Sequence, residues 1–146
     1  MTFSNPIAIQ IAGLSTELTM LAVAIVLGMF QLLIAARTGN SQRGLKWNVG
    51  PRDAPAPPVS KVAGRLERAF RNFLETFPFF AAAVLIAAAA GRHNWATVWG
   101  AEIYVAARIV YLPLYGFGVP GLRTLVWIVA TLAILLITAA LFWPNI

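Results

Sequence analysis

The chain has 146 residues, 60% of them hydrophobic and 11% charged, with a formal net charge of +6 and a mean hydropathy of +0.76. Soluble chains are about a quarter charged, so this balance places the protein in the membrane class before any segment is inspected. Cysteine is absent and His93 is the single histidine, which excludes disulfides, thiolate metal ligands and cysteine nucleophiles, and one histidine does not make a metal site alone.

Met1 to Ala12 is a mildly apolar lead-in, with Pro6 and Gly13 as breakers. The first predicted span covers residues 14–36. From Leu18 to Ala36 it is uncharged and nearly all apolar, about the twenty residues needed to cross a hydrocarbon core. Glu17 stands before it, as an outer-interface residue. Arg37 ends it, followed by the exit signals Thr38, Gly39, Asn40 and Ser41. No basic residue precedes Arg37, so no charged n-region of a cleavable signal peptide is visible.

Residues 37–65 read as a polar loop, punctuated by Gly44, Gly50 and Pro51 and stiffened by Pro55-Ala56-Pro57-Pro58. Eight of the eleven Lys and Arg residues lie between Arg37 and Arg71. Basic residues crowded beside membrane spans mark a cytoplasmic loop. That placement argues against nucleic acid as a partner.

The second span covers residues 66–90, its helix starting near Lys61. Arg68, Asn72 and Glu75 fall at i, i+4 and i+7, one face of a helix. Pro78 deprives the Leu74 carbonyl of its donor and predicts a kink. Small residues at 81–83 and 87–90 permit close helix approach. Gly91, Arg92, His93 and Asn94 read as a tight, solvated turn. The third span, 95–114, holds Glu102 and Arg108, and ionisable groups inside a span are functional candidates. Tyr104, Arg108, Tyr111 and Tyr115 recur at spacings of four, three and four, with Pro113 interrupting or kinking the helix. Gly116, Gly118, Pro120 and Gly121 make a turn, and Arg123 opens the fourth span, 123–143.

Trp95, Trp99 and Trp143 then sit at outer span ends and Trp127 near an inner one, as an aromatic belt requires. The expected fold is all-α: a single-domain, multi-pass four-helix membrane bundle over residues 1–146. Both termini lie on the non-cytoplasmic side, and the 37–65 loop and the Tyr115–Arg123 turn face the cytoplasm.

Two polar stripes thus converge near the cytoplasmic face. Arg68, Asn72, Glu75, Arg108, Tyr111, Tyr115 and Arg123 would line a cleft with excess positive charge. Arginine forks suit carboxylates, a glutamate suits an ammonium, and Asn and Tyr bond amides. A small zwitterionic peptide fits that set, and an arginine beside a thiol raises its thiolate fraction.

The run Arg68-Ala69-x-x-Asn72-x-x-Glu75-x-x-Pro78, with Arg108, Tyr111, Tyr115 and Arg123 downstream, resembles the MAPEG family, the membrane-associated proteins in eicosanoid and glutathione metabolism. The resemblance covers essentially the whole chain. It implies a homotrimer of four-helix subunits that binds glutathione, as co-substrate and without a metal, in a cytoplasm-facing cleft between neighbours. The second substrate it implies is a lipophilic electrophile drawn from the membrane lipids' phase. By position, Arg68, Asn72, Glu75, Tyr111 and Tyr115 correspond to glutathione-holding residues, Arg123 to the catalytic arginine that stabilises the thiolate, and Arg37 to a basic residue ending span one. The chain departs from the leukotriene-synthase branch in carrying Thr76 after the motif glutamate, Arg37-Thr38 instead of paired arginines, and a Gly/Pro-rich turn before Arg123 that is one residue longer.

The expected function is a membrane glutathione transferase or peroxidase, placed in a bacterial inner membrane by the short loops. Two alternatives remain open on the residues. One is a MAPEG-fold binding or scaffold protein without catalysis. The other is a small multidrug exporter, for which Glu17 is the only candidate proton site. Structural alternatives stand beside each site residue: Arg68–Glu75 or Arg71–Glu75 salt bridges, Arg123 as a positive-inside anchor, Tyr104 as an interfacial aromatic, Glu102 as a packing partner.

Overall fold

The computed structural model describes residues 13–143, so the lead-in at 1–12 and the last three residues lie outside it. The described residues are helix and loop throughout: α1 (Thr16–Arg43), α2 (Leu45–Val49), α3 (Lys61–Ala89), α4 (Trp95–Phe117) and α5 (Pro120–Phe142). Helices α1, α3 and α5 are each long and apolar enough to cross a membrane. Helix α4 has 23 residues, sufficient in length, but Glu102 and Arg108 lower its apolarity.

The helix ends follow local chemistry. Ser15 and Ser60 cap α1 and α3 by accepting from the amides of Leu18 and Ala63. Asn94 and Thr97 form a reciprocal capping box at the start of α4, both bonds 3.0 Å. Pro120 occupies the first turn of α5, where its missing N–H costs nothing. Gly118 closes α4 at φ 77°, and the amides of Gly118 and Val119 both return to the Leu114 carbonyl. A left-handed residue there lets the chain reverse into α5 after two residues.

Helices α4 and α5 pack most extensively; α1 rests on α3 and α4, and α3 also touches α5, while α1 and α5 do not meet. Lipid tails are as apolar as leucine, so packing in a bilayer relies on close van der Waals fit and polar bonds between helices. The buried residues match that demand: Ala24, Ala83, Ala87, Ala101, Ala130, Ala133 and Ala140 bring backbones together around Phe80, Val84, Tyr104 and Ile137. Gly100 is the tightest point between α4 and α5. A Cβ there would lie 2.5 Å from Ile137 Cγ1 and 3.0 Å from the Ala133 carbonyl oxygen. Trp95, Trp99, Trp127 and Trp143 are all exposed on the outside of the bundle.

Several expectations are corrected. Helix α1 continues seven residues past Ala36 to Arg43, because Arg43 clamps Glu67 of α3 through two bonds of 2.6 and 2.8 Å. The loop is not wholly irregular either, since α2 lies within it. Helix α4 runs through Pro113 to Phe117, losing one backbone bond without ending. The turn at 91–94 is more than a solvated link. Arg92 donates to the carbonyl of Leu141 at 2.5 Å and caps the end of α5, where a cation also meets the negative end of the helix dipole. Glu17, at the start of α1, is buried in the bundle instead of facing outward: it is 2% exposed and accepts from the Thr97 hydroxyl at 2.6 Å. His93 Nδ1 lies 3.2 Å from the same carboxylate oxygen. A carboxylate removed from water requires such partners.

Candidate functional site

The site begins with a spacing. Asn72 and Thr76 are one helical turn apart on α3, and Tyr104, Arg108 and Tyr111 lie on the facing stripe of α4. Arg108 is 1% exposed, and its guanidinium crosses from α4 to α3. One terminal nitrogen donates to Asn72 Oδ1 at 2.9 Å and the other to Thr76 Oγ1 at 2.5 Å. Its plane lies between two rings, 5.4 Å from the Tyr104 centroid and 5.3 Å from that of Tyr111. Such contacts favour a desolvated arginine. Its Nε is buried without a partner.

The pattern of donors is directional. With Oδ1 of Asn72 taken by Arg108, its amide nitrogen faces Glu75 and donates to Oε2 at 3.3 Å. Thr76 accepts from Arg108 and lies 3.2 Å from the Tyr104 hydroxyl. Its own proton reaches the Phe73 carbonyl at 3.3 Å, so Tyr104 donates to it. A continuous line of hydrogen bonds therefore runs from the core at Tyr104 to Glu75 on the surface.

At the loop end of that line, Arg123 of α5 stacks over the Tyr115 ring at 4.5 Å. Tyr115 and Tyr111 meet edge to face, their centroids 5.4 Å apart. Asn72, Tyr111, Tyr115 and Arg123 line a shallow cavity of about 190 Å³ with Thr124 and Trp127. Beside it, a groove of about 480 Å³ between α3 and α5 is almost wholly apolar, and Thr76, Glu75 and Trp127 form its polar rim. The guanidinium in the small cavity can hold an anion, and the groove can hold an aliphatic or aromatic group next to it.

Six of the sequence-predicted site residues, Asn72, Glu75, Arg108, Tyr111, Tyr115 and Arg123, come together around these two cavities. Arg68 and Arg37 do not join the hydrogen-bonded set within one chain; both are exposed, on α3 and near the loop end of α1. Neither the Arg68–Glu75 nor the Arg71–Glu75 salt bridge forms among the described residues. Tyr104 is fully buried and stacked on Phe80 with centroids 4.0 Å apart, which removes the interfacial-aromatic reading. Thr76 was noticed only as a departure, yet it accepts the shortest bond of Arg108. Its position four residues after Asn72 puts it on the same helix face, which alone does not mark it as an acceptor. Trp127, expected only in the aromatic belt, lines both cavities.

The MAPEG family model matches residues 20–143, a stretch that takes in the whole cluster and nearly all of the four long helices. No curated protein matches the chain.

Proposed function

The chain belongs to the MAPEG family, and on that premise we propose that it is a membrane-bound glutathione transferase or peroxidase acting on lipophilic electrophiles. The observation that carries the reading is the adjacency of two unlike cavities. One is small and polar, lined by Arg123, Asn72, Tyr111 and Tyr115. The other is long and apolar, and Trp127 borders both. A thiol peptide and a hydrophobic acceptor need that pair of environments in contact.

In the proposed reaction the glutathione thiol loses its proton, and its sulfur forms the new bond to the electrophilic carbon. The displaced electron pair leaves with the departing group or, on addition to a double bond, is quenched by a proton. With a hydroperoxide, two glutathiones are oxidised to the disulfide while the hydroperoxide is reduced to alcohol and water. Arg123 favours the thiolate by placing a positive charge beside it. Asn72, Glu75 and Tyr111 supply an amide, a carboxylate and a phenol for peptide groups, with Arg68 and Arg37 available to glutathione carboxylates. Arg108 holds Asn72 in place instead of reaching outward.

The polar cavity, about 190 Å³, falls below the roughly 300–1,000 Å³ of ordinary ligand pockets. That supports a site completed by a neighbouring subunit in a homotrimer, with exposed Arg68 and Arg37 as contributors across the boundary. A four-span topology with the 37–65 loop on the cytoplasmic side of a bacterial inner membrane accompanies this reading.

The test is equilibrium binding of glutathione to the purified protein, together with the ultraviolet absorbance of the bound thiolate. Saturable binding with a thiolate signal that disappears in Arg123→Ala is expected. Absence of binding overturns the function, and an unchanged signal in the variant overturns the role of Arg123.

A further inference from the structure

Between Arg37 and Arg71 the chain carries eight basic residues and only two acidic ones, Asp53 and Glu67; outside that stretch three basic residues balance three acidic ones. The entire net charge therefore sits at one end of the bundle, and α2 is its structural centre. Trp47 is sandwiched between two arginines, with Arg43 at 5.4 Å and Arg52 at 5.1 Å from its ring centroid. Arg52 reaches that position from φ 60°, the only non-glycine among the described residues with positive φ. Backbone of a residue with a side chain is disfavoured in the left-handed region and persists there where the surroundings impose it. Its guanidinium is tied to the Asn48 carbonyl at 2.8 Å.

Two N–H donors in this corner are buried with no partner, Trp47 Nε1 and Arg43 Nε, as is one acceptor, Asn48 Oδ1. Buried donors are normally satisfied, so an unmatched pair beside a cationic cavity asks for an acceptor. A cavity of about 520 Å³ lies against them, lined by Arg43, Lys46, Trp47 and Arg52, with Asp53 as its single acidic member. Arg43 and Trp47 also line a second groove of about 400 Å³ between α1 and α3, where Asn40, Glu67 and Arg71 form a polar mouth and Leu32, Ala36 and Leu74 the apolar part. On α2 itself, Leu45 and Val49 are each 76% exposed, apolar side chains placed where a bilayer surface would receive them.

We propose that this corner is a binding site for an anionic phospholipid of the surrounding membrane. The phosphate lies in the cavity of Lys46, Trp47 and Arg52, and one acyl chain lies in the groove between α1 and α3. The arrangement favours a lipid over a free anion because the basic cavity, with its largely apolar walls, and the groove leading to Leu32, Ala36 and Leu74 share the same two side chains. Glu67 already neutralises Arg43 through two bonds, so Lys46 and Arg52 carry the charge that selects the headgroup. The assignment is independent of glutathione chemistry.

Native mass spectrometry of the full-length protein in detergent, titrated with phosphatidylglycerol or with phosphatidylcholine of the same acyl length, tests it. Saturable retention of phosphatidylglycerol in preference to phosphatidylcholine is expected. A juxtamembrane basic residue contributes about a fivefold factor in such attraction, so the double variant Lys46→Gln with Arg52→Gln loses preference roughly twenty-fivefold. Trp47→Phe, which keeps the ring and removes the N–H, weakens retention severalfold, and glutathione binding stays unchanged in all of them. Equal retention of the two lipids, or a double variant that keeps its preference, overturns the proposal. Glycerol phosphate or inorganic phosphate competing as well as the lipid identifies a free-anion site and overturns it too. So does a change in subunit number in the double variant without lipid preference, which would identify a second copy of the chain as the occupant.

Discussion

Arg108 on α4 donates to Asn72 Oδ1 on α3 at 2.9 Å, and that bond decides which end of the Asn72 amide faces the surface. Because the oxygen is taken, the nitrogen points to Glu75. A buried cation thus sets the polarity of an exposed group without touching solvent itself. It also explains why Arg108, though charged and central, is a positioning residue in the proposed site.

Replacing Arg108 by methionine leaves Asn72 Oδ1 without its donor and Thr76 with Tyr104 as its single remaining one. Each unmet buried polar group costs about 1–3 kcal/mol, so the thermal midpoint in detergent falls clearly. Arg108→Lys recovers only part of the loss, because one ammonium on a flexible stem does not reproduce a planar fork. Glutathione affinity falls as well, through Asn72. Stability and affinity that both survive Arg108→Met would dissociate the cation from the site.

Thr76→Val keeps shape and removes the hydroxyl that accepts from Arg108 and Tyr104. The expected destabilisation is about 1–3 kcal/mol, read from the thermal midpoint. A neutral effect would show that Arg108 finds another acceptor at no cost.

Arg123→Ala removes the cation stacked on Tyr115. Loss of a preorganised group that stabilises developing charge typically costs about a hundredfold or more in turnover, with a smaller loss in glutathione affinity. Single-turnover rates with an aryl halide acceptor separate the two effects.

At the opposite end of the bundle, Glu17→Ala strips the acceptor from Thr97 and His93. The expected cost is about 1–3 kcal/mol of stability with turnover little changed, since the site lies elsewhere. A variant of full stability that abolishes proton-coupled efflux would instead favour the exporter reading.

Gly100→Ala sets a methyl against Ile137 and the Ala133 carbonyl. Backbone cannot rotate away as a side chain can, so α4 and α5 must separate slightly. Overpacking of this kind costs about 1–3 kcal/mol, measured as a lowered midpoint of thermal unfolding.

What the sequence disclosed was local. The helix start near Lys61 and the turns at 91–94 and 116–121 are legible because the breakers that set them lie within a few positions of the helix ends. The shared face of Asn72 and Glu75 followed from helical periodicity. The pairing of Arg43 with Glu67 spans 24 positions and that of Glu17 with Thr97 spans 80. No periodicity encodes such distances; they arise only when helices are placed side by side. Thr76 was hidden for another reason. A threonine inside an apolar helix usually bonds its own backbone, and nothing local distinguishes one that also serves an arginine from the next helix.

The two-residue link at Gly118 and Val119 bears on how the protein is made. Helix α4, with Glu102 and Arg108 along its length, is the one long helix that falls short of the apolarity of the others, and a guanidinium alone in hydrocarbon is costly. So short a connection denies α4 and α5 separate histories. On the proposed four-span topology the natural unit of insertion is the hairpin, with strongly apolar α5 carrying its partner into the bilayer. The Arg108 bonds to α3 then become available as soon as the hairpin meets the helix made before it.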